Sequence, residues 1–319
     1  MLTDTSLEQR LVRVVSIREA AIDTLCFDLA AADRRSLAPF TPGAHIDVHA
    51  PNGRVRQYSL CGDVRNLARY TIAVKREAAG RGGSRSMHDD VEEGNALGIV
   101  DPRNHFPLAA EAGHSLFIAG GIGITPIHAM VRSLSAQGRS WELHYCARSQ
   151  SHAAFYPELD ALPGGRVTPW FSEAPLLDVG SLLEEVRDAT HVYCCGPTGL
   201  MAAVKEASAH WPQGRVHFEW FAAPAQSATH NESFEVELRN TGMVIEVADN
   251  RTIVQALREH GVDVTTSCED GVCGTCETRV LEGECEHRDL LLTDEERAAN
   301  RSMMICVSRA KSRRLVLDL

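Results

Sequence analysis

Ser267-Cys268-Glu269-Asp270-Gly271-Val272-Cys273-Gly274-Thr275-Cys276 packs three cysteines into a C-x4-C-x2-C run, and Cys306 follows after 29 intervening residues. Thiolates are soft, electron-rich ligands, and four of them at this spacing can hold a 2Fe-2S unit while the loop wraps it and aims backbone N–H groups at sulfur. Gly271 and Gly274 suit such a loop, because backbone folded tightly around a cluster needs positive φ angles and close approach. A zinc knuckle would need two C-x2-C pairs, and only Cys273 and Cys276 form one. The six other cysteines, Cys26, Cys61, Cys146, Cys194, Cys195 and Cys285, read as small buried hydrophobes.

The spacing resembles that of plant-type ferredoxins, and this resemblance implies an α+β domain of β-grasp type over residues 232–319. Within it, Phe234 to Leu238 and Met243 to Val247 flank Asn240-Thr241-Gly242, a hairpin signal. Asn250 is placed to cap a helix that runs to Glu259 and stops at Gly261. Upstream, Ala222 to Thr229 is small and polar without hydrophobic periodicity, so residues 224–231 read as a linker.

Residues 109–223 alternate apolar strands (Leu116 to Ala119, Trp141 to Cys146, Val167 to Phe171, His191 to Cys195, Val216 to Phe218) with helical patterns, the signature of a parallel α/β sheet. The first strand runs into Gly120-Gly121-Ile122-Gly123-Ile124-Thr125-Pro126 and a helix. Glycines there let the backbone approach a diphosphate, and the helix start supplies unpaired N–H groups. Pro126 replaces the third glycine of the usual dinucleotide fingerprint and is tolerated in a first helical turn. Cys195-Gly196-Pro197 ends a second strand before a helix over Leu200 to Ala209. Cys195 reads equally as a neighbour of the nicotinamide and as a buried thiol. At Ala147-Arg148-Ser149-Gln150, where a carboxylate would select NADH, there is none, and Arg148 tolerates a 2′-phosphate.

Residues 1–108 carry short apolar segments between turn residues (Val12 to Ile17, Thr24 to Leu29, His45 to Val48, Gln57 to Leu60, Tyr70 to Val74), which suggests an antiparallel β-barrel. Arg56-Gln57-Tyr58-Ser59 sets a guanidinium, an aromatic ring and a hydroxyl on one strand. An isoalloxazine needs a stacking surface, a partner near N5 and a positive charge by its phosphate. Gly82-Gly83-Ser84 downstream can open a short helix toward that phosphate. Lys75 and Arg76 are further candidate cations, and a solvated edge explains them equally.

The chain of 319 residues carries a net charge of −11, which argues against nucleic acid as a partner and suits a protein partner. No apolar stretch approaches the roughly 20 residues that span a bilayer, and Met1 to Leu11 lacks the basic-then-apolar pattern of a secretion signal, so a soluble, cytoplasmic protein is expected.

With these motifs in this order, the whole chain resembles the phthalate dioxygenase reductase family, including vanillate O-demethylase reductase subunits. The resemblance implies FMN rather than FAD, NADH as donor, and a Rieske-type oxygenase as transient protein partner of a monomer. It also implies that His217-Phe218-Glu219-Trp220-Phe221 lies beside the flavin, Phe221 among its contacts, although core packing competes for Phe218 and Phe221. A haem monooxygenase partner, a general diaphorase and a redox sensor are the other readings.

Overall fold

The computed structural model describes residues 9–33, 35–173, 175–223 and 231–319. The start of the chain and nearly all of the expected linker lie outside the described residues. The chain divides into two compact units, Met1–Phe221 and Ala222–Leu319.

The first unit begins with six antiparallel strands, β1 (Gln9–Ala21), β2 (Thr24–Ala31), β3 (His45–His49), β4 (Val55–Ser59), β5 (Tyr70–Lys75) and β6 (Ala96–Val100), with helix α1 (Gly83–Asp89) between the last two. Their order is β4-β3-β6-β1-β2-β5. An antiparallel bridge between Leu60 and Ile72 and the Cys61 N–H donating to the Thr71 carbonyl at 2.9 Å join the ends of that order, so the sheet closes on itself. Inward residues such as Val12, Val14, Phe27, Leu29, Ile46 and Val48 fill the barrel. Each fully buried side chain of this kind contributes about 1.5–3 kcal/mol.

Two features depart from the sequence reading. β1 runs seven residues beyond the stretch expected, because register shifts between Val14 and Ser16 and between Glu19 and Ala21 let one long strand bend around the barrel. β6 was not expected at all. Its Ala-Leu-Gly-Ile-Val lacks clean alternation, and only its pairing with both β1 and β3 makes it a strand.

The unit continues with strands β7 (His114–Gly120), β8 (Ser140–Ala147), β9 (Gly165–Phe171), β10 (Thr190–Cys195) and β11 (Val216–Glu219) and helices α2 (Ile124–Ala136), α3 (Tyr156–Asp160), α4 (Val179–Leu183) and α5 (Thr198–Ala207). All strand pairs are parallel, in the order β11-β10-β7-β8-β9. One face packs on α2 through Ile127, Met130, Val131 and Leu134, and the other on α4 and α5 through Leu183, Met201 and Val204. The strand order reverses between β7 and β10, which is where open α/β sheets bind ligands. α5 starts and ends two residues earlier than the sequence suggested, because Pro197, lacking an N–H, occupies its N-cap position.

In the second unit, β12 (Phe234–Leu238), β13 (Val244–Val247), α6 (Ile253–Glu259), β14 (Glu277–Glu282), β15 (Cys285–Glu286), α7 (Asp294–Ala299), β16 (Ser302–Met304), β17 (Arg309–Ala310) and β18 (Arg314–Leu317) follow in chain order. The main sheet, ordered β13-β12-β18-β14-β16, holds the β12–β13 hairpin beside a parallel β12–β18 pair and packs on α6 through Ile253, Val254 and Leu257. The cap of α6 is a correction. Thr252, and not Asn250, caps it, because Thr252 Oγ1 accepts from the Gln255 N–H while the Gln255 side chain accepts from the Thr252 N–H, and this reciprocal pair outcompetes a lone Asn.

No helix among the described residues is long and apolar enough to cross a membrane.

Candidate functional site

At the reversal point of the parallel sheet two turns meet face to face. After β7, Gly121–Gly123 forms a single 3₁₀ turn that leads into α2. After β10, Cys195-Gly196-Pro197 leads into α5. A Cβ on Gly123 would lie 2.2 Å from the Cys195 carbonyl oxygen, and one on Gly120 would lie 2.4 Å from Pro197 Cδ. The turns can approach only because both positions lack side chains.

Above them opens a cleft of about 460 Å³, lined among others by Gly120, Gly121, Lys75, Arg148, Trp170 and Pro197. That volume is in the range of a small-molecule site. Of the residues singled out in the sequence, Gly120, Gly121, Lys75, Arg148 and Pro197 face it. Gly123, Thr125, Pro126, Cys195 and Gly196 are not among its lining residues. Thr125 Oγ1 donates to the Ile122 carbonyl at 3.0 Å and fixes the turn. Cys195 is fully buried, and burial pushes its thiol well above the ordinary range, so it is no nucleophile. Trp170, Leu176 and Leu177 also line the cleft, and sequence motifs had not marked them. Leu176 is 75% exposed at the cleft, and no sequence pattern marks it.

On the barrel, β4 carries Arg56, Gln57, Tyr58 and Ser59. Tyr58 Oη and Ser59 Oγ are both buried without a hydrogen-bond partner, and burial raises the Tyr58 phenol above its ordinary value. Buried polar atoms are normally satisfied, so adjacent orphans on one strand fit a bound polar ring system with edge acceptors. Gly82, with φ of 94°, precedes α1, and the Asn52 side-chain amide donates to its carbonyl at 3.1 Å. A Cβ on Gly83 would sit 2.7 Å from Arg56 Cγ, so the guanidinium arm lies across this turn. The structure thus joins two motifs that are about 25 residues apart in sequence. Ser84 Oγ accepts from the Glu77 N–H, while Lys75 Nζ pairs with Glu77 at 2.8 Å.

Glu219 ends β11 opposite Cys195. Its Oε2 is sealed from solvent without a partner, and desolvation raises the carboxyl from 4.5 to about 8. Stability tied to this proton is complete below about 4.5 and lost as the pH rises through about 8. Glu219→Gln should therefore flatten the fall of Tm between pH 5 and pH 9, with a gain at the alkaline end of about 2–4 °C per kcal/mol of relieved strain. A thermal scan across pH checks it, and an unchanged slope would refute it. Phe221, the last residue of the first unit, is 43% exposed.

The Cys268–Cys276 loop brings its sulfurs together with Cys306. The thiol of Cys268 is in hydrogen-bond contact with those of Cys273 and Cys306, and that of Cys276 with Cys306. Donation from its neighbours holds Cys268 well below the usual thiol range. The contacts run Cys273–Cys268–Cys306–Cys276, so the four thiols form one continuous cluster. A dinuclear centre asks for two thiolates per iron. The Asp270 N–H donates to Cys268 Sγ at 3.3 Å, and Ser267 Oγ is a buried orphan beside the loop. A Cβ on Gly271, with φ of 71°, would strike Val307 Cγ2 at 2.5 Å, so glycine is required there.

Two family models match the chain, an oxidoreductase NAD-binding domain over residues 117–206 and a 2Fe-2S iron-sulfur cluster binding domain over residues 236–311. The chain is 47% identical over 310 residues to phenoxybenzoate dioxygenase subunit beta of Ectopseudomonas oleovorans, covering 97% of each chain. It is 43% identical to phthalate dioxygenase reductase of Burkholderia cepacia, again covering 97% of each. The chain belongs to the phthalate dioxygenase reductase family. A solved phthalate dioxygenase reductase, described as a modular structure for electron transfer from pyridine nucleotides to [2Fe-2S], matches at 42% identity and a TM-score of 0.73, covering 98% of both chains. An intact type IV self-sufficient cytochrome P450 monooxygenase matches at 40% identity and a TM-score of 0.90. There 98% of this chain spans 41% of the longer one. As a phthalate dioxygenase reductase family member the chain is an oxidoreductase with an antiparallel barrel, an NAD-binding parallel sheet and a 2Fe-2S domain.

Proposed function

We propose that this chain is the reductase component of a two-component system, carrying electrons from NADH through FMN and a 2Fe-2S cluster to a separate Rieske-type aromatic-ring oxygenase or O-demethylase. The observation that carries this reading is the end-to-end likeness to phthalate dioxygenase reductase, at 43% identity. The proposed domains are residues 1–108 for FMN, 109–223 for the nicotinamide nucleotide and 232–319 for the cluster, with 224–231 as linker. The reductase works as a cytoplasmic monomer that docks transiently on its oxygenase.

FMN held on the barrel would divide the two electrons of a hydride into the single electrons an iron-sulfur centre accepts. The chain's own residues provide placement. Tyr58 Oη and Ser59 Oγ offer hydrogen bonds to the ring edge, and Arg56 with Gly82, Gly83 and Ser84 takes the phosphate. Gly120 and Gly121 admit the diphosphate of the nucleotide, and Pro197 closes the other wall. Cys268, Cys273, Cys276 and Cys306 would together hold the cluster. Backbone donors such as the Asp270 N–H add hydrogen bonds to sulfur.

A second reading, supply of electrons to a haem monooxygenase, is favoured by the TM-score of 0.90 with part of a self-sufficient P450. Reconstitution separates the two. The purified protein should release FMN and couple NADH consumption to product formation with a Rieske oxygenase of the phthalate or vanillate type. Released FAD, or product formed only with a haem monooxygenase, would overturn the first reading. Failure to oxidise NADH with any acceptor would leave only a redox sensor.

A further inference from the structure

The cleft above the two glycine turns is lined by Lys75, Arg148 and His152, and by no aspartate or glutamate among its described residues. In sheets of this kind a carboxylate beyond the second strand takes the adenosine ribose 2′-hydroxyl and repels a 2′-phosphate, whereas an arginine there accepts the phosphate. Here β8 is the strand beside β7, and the residue just beyond it is Arg148.

We propose that this nucleotide cleft accepts NADPH as well as NADH, with Arg148 as the residue that holds the 2′-phosphate. This rests on reading the cleft as the nicotinamide nucleotide site. The Arg148 guanidinium makes no hydrogen bond or ion pair among the described residues and is solvent-exposed, so no internal partner competes with a ligand for its donors. Its backbone is fixed, because its carbonyl accepts from the Ser172 N–H at 3.3 Å and so ties the ends of β8 and β9 together. His152 and Ser172 line the same corner. His152 Nδ1 sits 2.8 Å from Ser149 Oγ, and its other ring nitrogen has no partner among the described residues. Lys75 is engaged by Glu77 at 2.8 Å, which leaves Arg148 as the principal cation for a dianion. Glu173, which follows Ser172 in sequence, lines a neighbouring cleft with Ser149, Gln150 and Phe171. A phosphate bound by a guanidinium is held by charge-assisted, frequently bidentate hydrogen bonds.

Steady-state kinetics with NADH and NADPH on the flavin- and cluster-loaded protein, using ferricyanide as acceptor, tests this. The parent protein should use NADPH with kcat/KM within about tenfold of NADH. Arg148→Ala should lower the NADPH-to-NADH ratio at least about tenfold, through KM, as expected for loss of one charge-assisted contact. Ser172→Asp, which restores a carboxylate to the corner, should lower the same ratio. A parent preference for NADH above about 100-fold, or an equal loss with both nucleotides in Arg148→Ala, would overturn the inference. So would a rise in the ratio in Glu173→Gln, which would assign discrimination to that carboxylate. If neither nucleotide reduces the protein, the nicotinamide reading itself has failed. If NADH alone does so, only this inference has.

Discussion

Cys276→Ser is expected to reduce NADH-driven cytochrome c reduction at least about 100-fold while ferricyanide reduction stays within a few-fold of the parent, because only the first acceptor depends on the one-electron centre. Cys276 lies in the core of the second unit, 4% exposed, in contact with Cys306. Replacing its soft sulfur by a hydroxyl leaves three of the four thiolates that would hold the cluster. The barrel and the parallel sheet belong to the other compact unit and keep their own cores, so hydride transfer survives. Parallel assays on one preparation, with the flavin-to-protein ratio as control, read the effect. Equal loss with both acceptors would contradict this division of labour.

Gly123→Ala is expected to slow reduction of the bound flavin by NADH about 100-fold or more, with flavin content and dithionite reduction retained. The added Cβ would lie 2.2 Å from the oxygen and 2.5 Å from the carbon of the Cys195 carbonyl, and 2.7 Å from Gly196 N. All three are backbone atoms and cannot rotate away. The β7 and β10 turns must therefore part, and a misplacement of about 1 Å suffices for a loss of about 100-fold in rate. Gly121 offers a contrast. A Cβ there meets nothing within 4 Å, and its φ of 54° carries only the modest left-handed cost, so Gly121→Ala should do less. Stopped-flow absorbance at the flavin band distinguishes them, and equal rates in the two variants would refute the packing argument.

Much of this was legible in the sequence because the signals are local. Strand, glycine turn and helix are consecutive around Gly120 to Pro126, and three of the four candidate cluster thiols sit within nine residues. What was not legible depends on distant partners. β6 becomes a strand through pairing with β1 and β3. The meeting of Arg56 with Gly83, and of Gly123 with Cys195, is set by barrel closure and by sheet order. The motif residues also divide in a way that spacing cannot reveal. Gly121 and Pro197 face the cleft, whereas Thr125, Pro126 and Cys195 lie behind it and shape the turns. Trp170 and Leu176 reach the cleft from the β9 end, about 50 residues after the glycine turn, with no motif to mark them. At Asn250 the reading failed for a local reason, since Thr252 and Gln255 form a reciprocal cap that a single Asn cannot match.

The most direct measurement is elemental and acid-labile sulfide analysis of protein purified without air. Two irons and two labile sulfides per chain are predicted, as the 2Fe-2S domain over residues 236–311 requires. Zinc with no labile sulfide would contradict it.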